Sequence, residues 1–156
     1  EMPMYSFNTG PPYWEGSKAL KNISLPNSLL SVKNFAFYRC DSITEFKLPE
    51  SLVELGSMAF ANCRSIRDLD LPNSLKRINY ACFSSCISLE KVKFNDLVEE
   101  ISEHAFYYCS SLKELDFPDN LEFIGSNAFE KCIKLSSISF PKRLTLISDS
   151  AFLDCS

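Results

Sequence analysis

The chain has 156 residues, 46% hydrophobic and 23% charged, the balance of a soluble globular protein long enough to bury one sizeable core. Sixteen Lys and Arg against twenty Asp and Glu leave a net charge of −4, so the basic field that nucleic-acid binding requires is missing. No apolar run approaches the roughly 18–20 residues that span a bilayer, which argues against membrane insertion.

Glu1 is followed by no basic-then-apolar leader, and the sequence reads as an excerpt of something longer. Residues 1–19 begin irregularly, rich in Met, Tyr, Phe and Pro. Tyr13, Trp14 and Ser17 then stand 23 residues before Ala36, Phe37 and Cys40. This stretch is expected to be an N-terminal cap built on a degenerate half-repeat. Asn22-Ile23-Ser24 is a glycosylation sequon, meaningful only in a secreted chain.

From residue 20 to 156 the sequence is six copies of one 23-residue unit. Phe37, Phe60, Phe83, Phe106, Phe129 and Phe152 recur without insertion or deletion, as do Cys40, Cys63, Cys86, Cys109, Cys132 and Cys155. The residue before each Phe is Ala, except Cys82. Ile23, Phe46, Leu69, Val92, Leu115 and Ile138 are followed two residues later by Leu25, Leu48, Leu71, Phe94, Phe117 and Phe140. That alternation predicts a strand with one buried face. Pro26, Pro49, Pro72, Pro118 and Pro141 end it, and Asn95 takes the place of proline in the fourth unit.

Beyond the turn, a Leu or Val column from Leu29 to Leu144 and a Val, Leu or Ile column from Val32 to Ile147 predict a short extended segment. The Ala-Phe pair is then expected in a helical turn. One such unit cannot bury its own apolar side, so the units must stack, at a strand spacing of about 4.8 Å.

The unit running from Leu112 to Cys132, L-x-x-L-x-F-P-x-x-L-x-x-I-x-x-x-A-F-x-x-C, strongly resembles the BspA-like leucine-rich repeats, and the likeness covers residues 14–156. The resemblance implies a right-handed leucine-rich-repeat solenoid: parallel strands line a concave wall, and short extended segments and helical turns lie on the convex side. It also implies surface or secreted proteins used in adhesion and protein binding. Relatives carry Gly after the Ile column; here only Gly56 and Gly125 do, with Lys33, Asn79, Ser102 and Ser148 elsewhere. Coil geometry is expected to vary there.

The cysteine column lacks the close C-x-x-C spacing of a zinc site. Neighbouring cysteines would lie about 5 Å apart, yet an unbroken column with parallel Cβ vectors gives none a unique partner. Free, buried, structural thiols are expected. The single histidine, His104, has no nucleophile beside it in any recognisable motif and is expected to face solvent. With no G-x-S-x-G, phosphate loop or H-E-x-x-H, no catalytic, cofactor or metal site is read.

Outward positions of the strand read Lys47, Asp70, Lys93 and Asp116, beside Arg67, Glu90, Lys113 and Asp68, Lys91, Glu114. Alternating signs suit a self-neutralising wall without aromatic anchors, with an electrostatic binding surface as the alternative. Two other features are the candidate interaction surface. One is Phe35 and Met58, in a column that turns polar at His104, Asn127 and Ser150; the other is Tyr107 with Tyr108. Residues Met2–Phe7 have the apolar content to cover Phe35 and Met58, with an external partner as the rival occupant. After Cys155 no strand follows for Leu135, Ile138 and Phe140 to stack upon, so end-on contact with further repeats, a cap or a neighbouring chain is expected.

The expectation is a non-enzymatic module that binds another protein at the cell surface. The alternative is an intracellular scaffold or spacer within a larger assembly, which unpaired thiols suit.

Overall fold

A computed structural model describes residues 16–155. Each coil carries two strands. The longer set is β1 (Asn22–Ser24), β3 (Glu45–Lys47), β5 (Asp68–Asp70), β7 (Lys91–Lys93), β9 (Glu114–Asp116) and β11 (Ser137–Ser139). The shorter set is β2 (Ser31–Val32), β4 (Glu54–Leu55), β6 (Arg77–Ile78), β8 (Glu100–Ile101), β10 (Phe123–Ile124) and β12 (Leu146–Ile147). All pairing is parallel and in register at the repeat length, as in Ile23 opposite Phe46, Leu69 opposite Val92 and Ile124 opposite Ile147. The cap expected over residues 1–19 falls largely outside the described residues, as does the covering of Phe35 and Met58 by Met2–Phe7.

The core is the set of inward columns. Leu55, Ile78, Ile101 and Ile124 are fully buried, as are Leu52, Leu89, Leu112 and Leu121. The Phe column runs through the centre as a ladder of near-parallel rings, with centroid spacings of 5.6 Å from Phe60 to Phe83, 5.6 Å to Phe106 and 5.3 Å to Phe129. Identical side chains at identical register can only stack this way when successive coils are one strand spacing apart.

That spacing overturns the expected helical turns: no helix occurs among the described residues. Packed helices keep their axes about 8–10 Å apart, twice what adjacent coils allow. The Ala-Phe segment instead divides its N–H groups between two uses. Ala59, Ala61 and Cys63 donate to Gly56, Met58 and Phe60 in tight turns at 3.2 Å, while Met58, Phe60 and Asn62 donate to Tyr80, Cys82 and Ser84 of the next coil at 2.9, 2.9 and 2.7 Å. The same alternation recurs in the other coils. It requires two residues per coil in the left-handed region, Met58 (φ 54°) and Asn62 (φ 62°) here, His104 (φ 56°) and Tyr108 (φ 57°) two coils on. Strand side and turn side are therefore both spaced by backbone hydrogen bonds between neighbouring coils.

In the mixed column after Ile, the two glycines sit where the neighbouring coil leaves no room for a side chain. A Cβ at Gly56 would come within 2.4 Å of the Asn34 nitrogen, and one at Gly125 within 2.5 Å of the Glu103 nitrogen. The N–H at this position donates to the preceding coil whichever residue carries it: Gly56 to Val32 (2.7 Å), Gly125 to Ile101 (2.8 Å), and Ser102 and Ser148 to Ile78 and Ile124 (both 2.9 Å). Asn79 makes the equivalent bond with its side chain, Nδ2 donating to the Leu55 carbonyl at 2.7 Å. Asn95 does similar work at the turn. Buried, it donates to the carbonyls of Pro72 (2.6 Å) and Leu75 (3.0 Å) and accepts from the Leu97 N–H.

Candidate interaction surface

The cysteine column lies inside. All seven cysteines are free, and all but Cys155 are buried. Each of the later ones donates its S–H to the Phe carbonyl of the coil before: Cys63 to Phe37 at 3.1 Å, Cys86 to Phe60 at 3.3 Å, Cys109 to Phe83 at 3.3 Å. Burial pushes the Cys63, Cys82, Cys86, Cys109 and Cys132 thiols far above their ordinary range. Such thiols are neither nucleophiles nor ligands at neutral pH. No group of three or more His, Cys, Asp or Glu placed to hold a metal occurs among the described residues, and no helix there is long and apolar enough to cross a membrane.

The strand wall presents the charges that the alternation placed outward. Lys113 bonds Glu90 across adjacent coils at 2.5 Å. Lys21, Lys47, Arg67, Lys91, Lys93 and Lys113 balance Glu45, Asp68, Asp70, Glu90, Glu114 and Asp116. Asp68 lies opposite Lys91 and Asp70 opposite Lys93 in the ladder. The shorter strands carry a second set of rungs, Lys33–Glu54 at 2.8 Å, Lys76–Glu99 at 3.1 Å and Arg77–Glu100 at 2.7 Å. Exposed pairs of this kind are worth about 0–1 kcal/mol each and neutralise the face they occupy. Among the described residues the outward positions of the longer strands hold no aromatic ring; on the shorter strands Phe123 takes the outward position opposite Glu100.

The aromatic residues gather on the turn side. Tyr80, His104, Tyr107 and Tyr108 form a connected run, with centroids 5.8 Å apart from Tyr80 to His104, 5.5 Å from His104 to Tyr107 and 6.3 Å from Tyr107 to Tyr108. His104 does not face solvent as expected. Its side chain is 18% exposed, and its Nδ1 is 3.2 Å from Glu103. The left-handed backbone at this position turns the imidazole along the surface between two tyrosines. Tyr108 is 44% exposed and Tyr107 half-buried. Lys131 reaches back from the next coil, donating to the Tyr107 hydroxyl at 3.2 Å with its ammonium 5.5 Å from the ring centroid. The Tyr107 hydroxyl and Glu130 hold that ammonium above its ordinary pKa. Burial, with Glu103 nearby, does the same for the Tyr80 phenol.

Phe35 and Met58 lie on adjacent coils, the Phe35 N–H donating to the Ser57 carbonyl at 3.0 Å, and both are half-buried. The Phe35 ring meets Tyr38 edge-on at 5.9 Å. Tyr107 and Tyr108 lie two coils beyond Met58, but the run they join begins at Tyr80, whose carbonyl accepts the Met58 N–H at 2.9 Å. Tyr80, Glu103 and Lys131 were missed as members. Tyr80 and Glu103 share a column flanked by Ser57 and Ser126, and Lys131 stands in the column of Tyr108 and Asp154, columns whose residue type changes from coil to coil and so gives no distinguishing mark. Leu30 and Val53 are a second missed feature, exposed on adjacent coils in a column that turns polar at Lys76 and Glu99, the same kind of drift noted at Phe35. Asn22 of the sequon is exposed on β1, opposite Glu45.

The profile of the BspA type leucine rich repeat region matches residues 10–107 and 81–156, in six copies. Three bacterial crystal structures superpose well. A leucine-rich repeat protein from Eubacterium ventriosum aligns with a TM-score of 0.81 and 31% identity, over 87% of this chain and 37% of its own. A T. pallidum leucine-rich repeat protein gives 0.74 and 31%, over 77% and 58%. A leucine rich cell surface protein from Faecalibacterium prausnitzii gives 0.74 and 28%, over 81% and 34%. The chain therefore spans between a third and three-fifths of the length of these proteins. A search of curated proteins returns no match.

Proposed function

Because the chain belongs to the BspA-type leucine-rich repeat family, we propose that it is a non-enzymatic, protein-binding part of a surface or secreted adhesion protein. The observation that carries this reading is the half-exposed aromatic run from Tyr80 to Tyr108 on the turn side, set against a charge-balanced wall. Tyrosines that combine ring area, a hydroxyl and few rotatable bonds are the residues on which interfaces concentrate their energy. Surface placement draws support from the F. prausnitzii relative, a leucine rich cell surface protein. End-on contact with further repeats or a neighbouring chain is a second binding mode, supported by the exposed Phe140, Leu146 and Ile147 of the last described coil.

The seven free thiols favour the other reading, an intracellular scaffold, since buried unpaired cysteines suit a reducing compartment. One experiment addresses both. The wild-type chain and a Tyr107→Ser/Tyr108→Ser variant are immobilised and offered separate surface, secreted and cytosolic fractions of the source cells. A protein retained from the surface or secreted fraction by wild type and lost on the variant is the expected result. Retention from cytosol alone transfers the module to the scaffold reading, and equal retention on both chains removes the aromatic run as the contact.

A further inference from the structure

The aromatic run already carries a cation. Lys131 places its ammonium 5.5 Å from the centre of the Tyr107 ring and 3.2 Å from its hydroxyl, with Glu130 at 3.4 Å. A tyrosine beside a carboxylate is a setting that stabilises positive charge, and here the Tyr107 hydroxyl and Glu130 hold the Lys131 ammonium between them. The ring beside Tyr107, that of Tyr108, is offered outward and is 44% exposed. Its backbone sits at φ 57°, and the equivalent residues of the other coils are Arg39, Asn62, Ser85, Lys131 and Asp154, so among the described residues only this coil presents a ring there. At the far end of the run Glu103 is 52% exposed beside His104. The surrounding charge is acidic, with Glu103, Glu130, Asp149 and Asp154 against Lys131 on these coils.

We propose that the run from Glu103 to Tyr108 docks a basic, arginine-bearing segment of a partner protein, one guanidinium lying on the Tyr108 ring and a second positive charge meeting Glu103. The inference rests on the protein-binding reading and names the chemistry of the partner. Arginine fits better than lysine because a planar guanidinium stacks on a ring and keeps its edge free for a carboxylate, whereas an ammonium does one or the other. An acidic segment would meet the exposed Glu103 with like charge.

The test is an anisotropy titration of the whole 156-residue chain with three labelled peptides of one glycine-serine background, bearing two arginines, two lysines or two glutamates. The arginine peptide binds, Tyr108→Ser weakens it by about fivefold, and the lysine peptide binds a few-fold more weakly. Glu103→Gln also weakens the arginine peptide, and the glutamate peptide does not bind. Thermal melts confirm that each variant is folded. No arginine-peptide binding, equal binding by wild type and Tyr108→Ser, or preference for the glutamate peptide each overturns the proposal. If a captured protein depends on Tyr107 and Tyr108 but the arginine peptide neither binds nor competes with it, this inference fails and the protein-binding reading stands.

Discussion

Phe83 shows what a single column position is worth. It is fully buried and stacked between Phe60 and Phe106 at 5.6 Å on either side. Phe83→Ala leaves two rings without a neighbour and is expected to cost about 3–5 kcal/mol in urea unfolding, and a loss under 1 kcal/mol would place the ring outside the core. The left-handed positions behave oppositely. Arg39 is exposed with φ 56°, and a side chain there costs about 1–2 kcal/mol of steric strain. Glycine removes that strain while adding about 0.5–1 kcal/mol of lost chain entropy. Arg39→Gly is accordingly expected to leave stability unchanged or slightly raised. A clear drop in melting temperature would mean that the side chain contributes something beyond its backbone.

At the scale of one coil against the next, the cysteine rungs make stability depend on pH. Burial pushes the thiols of Cys63, Cys82, Cys86, Cys109 and Cys132 up. The folded chain keeps these protons at a pH where the unfolded chain, with thiols near the ordinary value of 9.0, has released them. Above that pH the unfolded state binds fewer protons, so raising pH favours unfolding. Stability should be level through neutral pH and then fall beyond pH 9, by about 1.4 kcal/mol per pH unit for each buried thiol. Urea midpoints measured from pH 7 to 10 check this, and Cys86→Ala should reduce the slope by one thiol's share. A midpoint that holds level to pH 10 would show that the thiols ionise within the fold.

For the molecule as a whole, stability is the sum of coil-to-coil contacts along one axis, so the same substitution has a different cost at different places. Ile101 is 0% exposed between two coils, while Ile147 in the same column is 43% exposed in the last described coil. Ile101→Ala is expected to cost about 2–5 kcal/mol. Ile147→Ala should cost under about 1 kcal/mol in the same unfolding assay, because much of its surface is already in water. Equal losses would mean that something covers the last coil in solution. The close stacking also accounts for the wall: charges on successive rungs are near enough to neutralise one another.

The strict period of 23 residues and the two-residue alternation around Leu69 and Leu71 were enough to determine the coil, its parallel register and the inward Phe and Cys columns. Inward positions are legible because each must fill the same space between identical neighbours, so they repeat. Outward ones are not bound in this way. The turns are not helical because Met58, Phe60 and Asn62 bond carbonyls 22 residues ahead, partners that local pattern cannot show. The aromatic run likewise joins Tyr80, His104, Tyr107 and Tyr108 from four columns and two coils. Only the left-handed backbone at His104 and Tyr108, imposed by bonding to the next coil, decided that these rings lie against one another along the surface.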